Sequence, residues 1–85
     1  VTYRLELETR ALKELKNLPR ERRELIPDVL DDLERNPCPP GAKKLSRLDG
    51  WRVRKGDYRV LFTVDDAARL VRVYRIGHRG EVYRR

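Results

Sequence analysis

The hydrophobic positions follow two regimes, helical spacing early in the chain and alternation late in it. At the start, Val1, Tyr3, Leu5 and Leu7 alternate with Thr2, Arg4 and Glu6, the period of a strand with one face in the core. Thr9 is an N-cap candidate, and Ala11, Leu12, Leu15 and Leu18 recur at helical spacing as far as Pro19. A short amphipathic helix is predicted there. A second helical stretch begins near Pro19 or Arg20 and carries Leu25, Ile26, Val29, Leu30 and Leu33 on one stripe. It stops before the breaker Asn36-Pro37-Cys38-Pro39-Pro40-Gly41. Pro27 interrupts it. An interior proline removes a backbone bond and costs about 3 kcal/mol, which predicts a kink near 23–26 or two shorter helices. The acidic run Asp28, Asp31, Asp32 and Glu34 is expected to face water.

After the breaker the period becomes two. Trp51 to Arg54 alternates, Lys55-Gly56-Asp57 supplies a turn, and Tyr58 to Val64 alternates again, which reads as a hairpin. Asp65 to Ala68 turns the chain into Arg69 to Ile76, whose apolar residues on both faces fit a central strand. The tail from His78 to Arg85 follows Gly77. The predicted order is β-α-α-β-β-β. It describes an α+β fold, one small domain over residues 1–85 with two N-terminal helices on one face of a mostly antiparallel four-stranded sheet.

Composition narrows the partners. No window approaches the run of about 18 apolar residues that a membrane span needs, and the first twenty residues carry Glu6, Glu8 and Glu14 where a secretory signal would be apolar. Cys38 is the only cysteine; it can form no intrachain disulfide or cysteine cage, which fits a reducing cytoplasm. Lys plus Arg is 21 and Asp plus Glu is 14, a net of +7. Residues 1–42 hold 8 basic and 9 acidic side chains, a net of −1, and residues 43–85 hold 13 and 5, a net of +8. All of the surplus therefore lies in the strand-rich half. Clustered positive charge suggests a polyanion such as nucleic acid; the plainer alternative is a solvated surface that keeps a small protein soluble. Sixteen of the 21 basic residues are Arg, which grips phosphate as a fork.

Period two also sorts these charges. Trp51 and Val53 point one way and Arg52 and Arg54 the other; Val60 and Phe62 point one way and Arg59 and Leu61 the other. If the apolar set meets the helices, Arg52, Arg54 and Arg59 line the uncovered face. Two readings stand there: a phosphate clamp, or a solvent face whose arginine stems cover apolar surface. His78, the sole histidine, is either a general acid or base or a surface residue. Arg79 follows at the strand end, and Tyr83 is either a core-edge aromatic or a ring that stacks on a base. HExxH, P-loop, GxGxxG and GxSxG patterns are absent, so neither a metal nor another cofactor is expected.

Taken together, RALKEL with KNL in the first helix, GAKKLSRLDGWRVRKGDYRVLFTVDD after the proline-rich loop, and VRVYRIGHRGEVYRR at the end resemble the RelE/ParE toxin superfamily, in particular its RelE-type messenger-RNA interferases. The paired elements GDYRV at 56–60 and GHRGEVY at 77–83 carry most of the likeness. The resemblance implies the toxin of a type II toxin–antitoxin pair, acting on mRNA in the ribosomal A site. In that chemistry the substrate's 2′-hydroxyl attacks the adjacent phosphate and leaves a 2′,3′-cyclic phosphate. It implies Arg59 and Arg79 on the phosphate, Tyr83 orienting the nucleotide, and Arg52, Arg54 and Lys55 binding RNA, with His78 the candidate for proton transfer. The expected partners are a RelB-like antitoxin, the ribosome and mRNA, with no membrane. Lysines commonly occupy the positions of Arg52 and Arg54, and arginine, with a pKa above about 12, does not serve as a base. Two other readings are a ParE-like inhibitor of DNA gyrase that cuts nothing and a non-toxic basic nucleic-acid-binding module; Arg79 and Tyr83 favour the nuclease.

Overall fold

A computed structural model of the chain describes residues 2–39 and 41–78. The alternating start becomes strand β1, Arg4–Leu7. Helix α1, Thr9–Asn17, follows at once: the Glu8 N–H donates to the Val73 carbonyl at 2.9 Å, and the Glu8 carbonyl accepts from the Leu12 N–H at 2.9 Å. One residue thus closes the strand and opens the helix. The cap position is Glu8, without a side-chain bond, and Thr9 is the first helical residue. The proline-bearing stretch divides into α2, Arg20–Arg23, and α3, Ile26–Arg35. Pro27 sits in the first turn of α3, where its missing N–H would have had no intrahelical acceptor. Asp28, Asp31 and Asp32 are exposed and Glu34 half-buried.

Four more strands follow: β2, Lys43–Lys44; β3, Trp51–Lys55; β4, Tyr58–Asp65; and β5, Leu70–His78. The sheet order is β1-β5-β4-β3-β2. It has five strands where four were expected, because the two lysines of β2 pair antiparallel with Trp51 and Arg52. Strand β5 is central, as its apolar content predicts, with β1 parallel on one side and β4 antiparallel on the other. Gly50, at φ +94°, lets the chain enter β3: a side chain there would meet the Phe62 carbonyl, so only glycine fits.

Helices α1 and α3 cover one face of the sheet. Ala11, Ile26, Val29, Leu30 and Leu33 meet Val60, Phe62, Val71, Val73 and Ile76, all buried. Val73 and Ile76 are three residues apart, so strict alternation cannot place both in the core. A β-bulge resolves this: Leu61 pairs with Arg75 and Phe62 with Val73, which leaves Tyr74 as the extra residue of β5.

Candidate nucleic-acid interface

Register fixes what shares the face opposite the helices. Arg54 lies directly across from Arg59, and Arg59 from Gly77; the next row runs Lys43, Arg52, Leu61, Arg75 across four strands. Arg52, Arg54 and Arg59 therefore do share one face, whereas Lys55, across from Tyr58 and in line with His78, lies on the other, because alternation turns it over after Arg54. Leu61, fully buried, stands between Arg52 and Arg75, whose stems cover it as long basic side chains do on apolar ground. This placement is what a face whose arginine stems cover apolar ground requires, and it leaves the charged heads to be accounted for.

The ion pairs divide the sheet. On β5, Arg72 pairs with Glu6 at 3.4 Å and Arg75 with Glu14 at 3.0 Å. Among the described residues, none of Lys43, Arg52, Arg54, Lys55 and Arg59 pairs with a carboxylate. Arg59 is 8% exposed, and its Nη1 donates two long bonds of 3.4 Å to the carbonyls of Gly56 and Tyr58. These weak contacts tether the guanidinium over the hairpin turn. The Nη1 of Arg52 is buried with no acceptor among the described residues. A buried donor left unmet costs about 1–3 kcal/mol, more when charged, and an anion on this face would recover that cost.

The Arg75–Glu14 pair also ends the sheet. β1 stops at Leu7, opposite Val73, so β5 beyond that point lacks a strand on this side. Glu14 of α1 takes the strand's place: its carboxylate accepts the Ile76 N–H at 3.0 Å and the Arg75 Nε at 3.0 and 3.2 Å. The bulge residue Tyr74 donates its hydroxyl to the Asp49 carbonyl at 2.6 Å. Burial first, and the Asp49 charge second, push the Tyr74 phenol above its ordinary pKa.

His78 is not brought to the arginines. It pairs with Tyr58 in the row next to Val60 and Ile76, on the helix side of the sheet, and its ring meets Tyr58 edge-on at 5.7 Å and 87°. Strict alternation from Val73 would have put it on the arginine face; the extra residue at Tyr74 turns it over. Lys43, which sequence reasoning passed over, joins the arginine row through β2. A two-residue strand shows no period, so the signal was only the adjacent lysines after a loop. Arg79 and Tyr83 lie outside the described residues. Also among the described residues, no three metal-ligating side chains cluster, and no helix is long and apolar enough to cross a membrane.

Comparison with known proteins agrees with this fold. A family model described as the ParE toxin of type II toxin–antitoxin systems, parDE, matches residues 5–83. The chain is 33% identical over 85 residues to Toxin RelG of Mycobacterium tuberculosis, spanning 98% of each protein. Among solved structures it resembles the toxin–antitoxin complex RelBE2 of M. tuberculosis, at 33% identity and TM-score 0.82, over 93% of this chain and 100% of that one. It also resembles the archaeal RelE–RelB complex of Pyrococcus horikoshii, at 28% identity and TM-score 0.80, over 94% of this chain and 98% of that one.

Proposed function

The chain belongs to the RelE/ParE family of type II toxins, and from that premise we propose that it is a ribosome-dependent endoribonuclease that cuts mRNA in the A site. The observation that carries the reading is the strip of cations on β3 and β4 that, among the described residues, has no carboxylate partner and holds a buried guanidinium nitrogen of Arg52 without an acceptor. Such a strip suits a phosphodiester that is held and whose charge grows during reaction.

In the proposed step the substrate's 2′-oxygen attacks the adjacent phosphorus, the bond to the 5′-oxygen breaks, and a 2′,3′-cyclic phosphate and a 5′-hydroxyl result. Arg59 grips the phosphate and stabilises the dianionic phosphorane, Arg52 and Arg54 neutralise the backbone, and Arg79 and Tyr83 complete the clamp and orient the nucleotide. In this reading His78, which the register puts in line with Tyr58 and away from Arg59, is given no step. An antitoxin is the expected protein partner, since the RelBE2 and RelE–RelB neighbours were solved as toxin–antitoxin complexes; its acidic groups would neutralise the same strip.

The test is primer extension on a translated message in cells expressing the chain. Cuts mapping to the A site, lost in Arg59→Ala, are expected. Growth arrest with an intact message and a DNA-damage response would overturn the reading. It would establish instead the gyrase inhibition that the ParE description of the matched family suggests.

A further inference from the structure

The arginine strip does not end at β3. β2 pairs only with Trp51 and Arg52, so the outer edge of Val53–Lys55 has no described strand beside it. A cleft of about 500 Å³ opens there, lined by Gly41, Lys43, Val53, Arg54 and Gly56. Its size falls within the range of about 300–1,000 Å³ usual for small-ligand sites. Among the described residues its charged groups are two cations, and no carboxylate lines it. Gly41 and Gly56 keep it wide, for a side chain built on either would meet nothing within 4 Å. Arg54 belongs both to this cleft and to the row shared with Arg59, so an occupant is continuous with whatever lies on the arginine face.

We propose that this cleft is a second phosphate subsite, in which Lys43 and Arg54 hold a neighbouring phosphate of the RNA strand whose scissile phosphate lies at Arg59. The proposal rests on the reading of that face as an RNA site. Lys43 stands two strands away from β4, about 10 Å at the usual strand spacing. That separation suits two phosphates of one strand better than a single phosphate gripped from both ends. Among the described residues that line the cleft, only Val53 carries an apolar side chain, which gives a peptide little to anchor on.

The test is equilibrium binding of a ten-nucleotide single-stranded RNA, made uncleavable by 2′-O-methylation, titrated between 50 and 200 mM salt. Wild type is compared with Lys43→Gln and, as control, with Lys13→Gln on the exposed side of α1. Lys43→Gln is expected to bind several-fold more weakly, with a log–log salt slope shallower by about 0.7, the loss of one single-strand phosphate contact. Lys13→Gln should match wild type. On a translated message Lys43→Gln should raise KM and leave kcat unchanged. An unchanged slope in Lys43→Gln, a control that loses as much, or weakened antitoxin binding with RNA binding intact would overturn the subsite. Salt-linked binding without cleavage by wild type would overturn the nuclease reading alone.

Discussion

Glu14 is the residue whose removal tests the architecture most directly. It does two jobs at once: it accepts the Ile76 N–H where β1 has run out, and it pairs with Arg75, whose side chain is 9% exposed. Glu14→Ala abolishes both. Losing the acceptor of a buried amide costs about 1–3 kcal/mol. Breaking a fully buried pair costs about 3–5 kcal/mol, but the Glu14 side chain is 24% exposed, so solvent reduces its share to about 1–2 kcal/mol. The sum is about 3 kcal/mol. At about 4–8 °C per kcal/mol for a domain of this size, Tm should fall by about 12–24 °C. Glu14→Gln keeps an oxygen for Ile76 and loses only the charge, so it should cost about 1–2 kcal/mol. Thermal unfolding gives the magnitudes, and hydrogen exchange at the Ile76 amide separates the two jobs. Protection there should collapse in Glu14→Ala and survive in Glu14→Gln. A Glu14→Ala chain within about 0.5 kcal/mol of wild type, or with Ile76 still protected, would refute the reasoning.

Four further outcomes follow. Gly50→Ala forces a Cβ against the Phe62 carbonyl at positive φ and should destabilise by more than about 1 kcal/mol, read by denaturant unfolding. Tyr74→Phe should cost about 0.5–1.5 kcal/mol for the bond to Asp49. It should also remove an alkaline transition: the folded phenol ionises above the ordinary 10.0, so its contribution is complete below that pH and is lost as pH rises through the folded value, which tyrosine absorbance follows. Arg59→Lys keeps the charge and loses the fork, so kcat on a translated message should drop by about 10²-fold while RNA binding persists. His78→Ala should retain cleavage and lose the edge-on contact with Tyr58, worth about 0.5–1.5 kcal/mol; abolished cleavage with intact folding would give it a part in the reaction.

Much of this was legible in the chain, for identifiable reasons. Helical spacing from Ala11 to Leu18 and from Leu25 to Leu33 gave the helices, and Pro27 correctly divided the second stretch. Alternation in 51–54 and 58–64 assigned Arg52, Arg54 and Arg59 to one face, because nothing interrupts the period before Leu61. What stayed hidden depends on partners distant in sequence. The bulge at Tyr74 exists because Val73 and Ile76 must both reach the core, and it reversed the face of everything after it, His78 included. Lys43 became part of the site only through pairing with Arg52, and Glu14 looked like one more exposed helix charge until the end of β1 left Ile76 without an acceptor.

The strand order has a consequence in time. β1 and β5, the first and last of the described strands, are neighbours in the sheet, and β5 is also what holds β4 against the rest. Synthesis runs from the N-terminus, so β1 waits without a partner until residues 70–73 have been made, and long-range pairings of this kind form late. A chain interrupted before Leu70 lacks Val71, Val73 and Ile76, and with them one wall of the core. A product cut short before Leu70 therefore has no complete core on which to present the arginines. For a toxin, that ties the appearance of the cationic face to synthesis of β5.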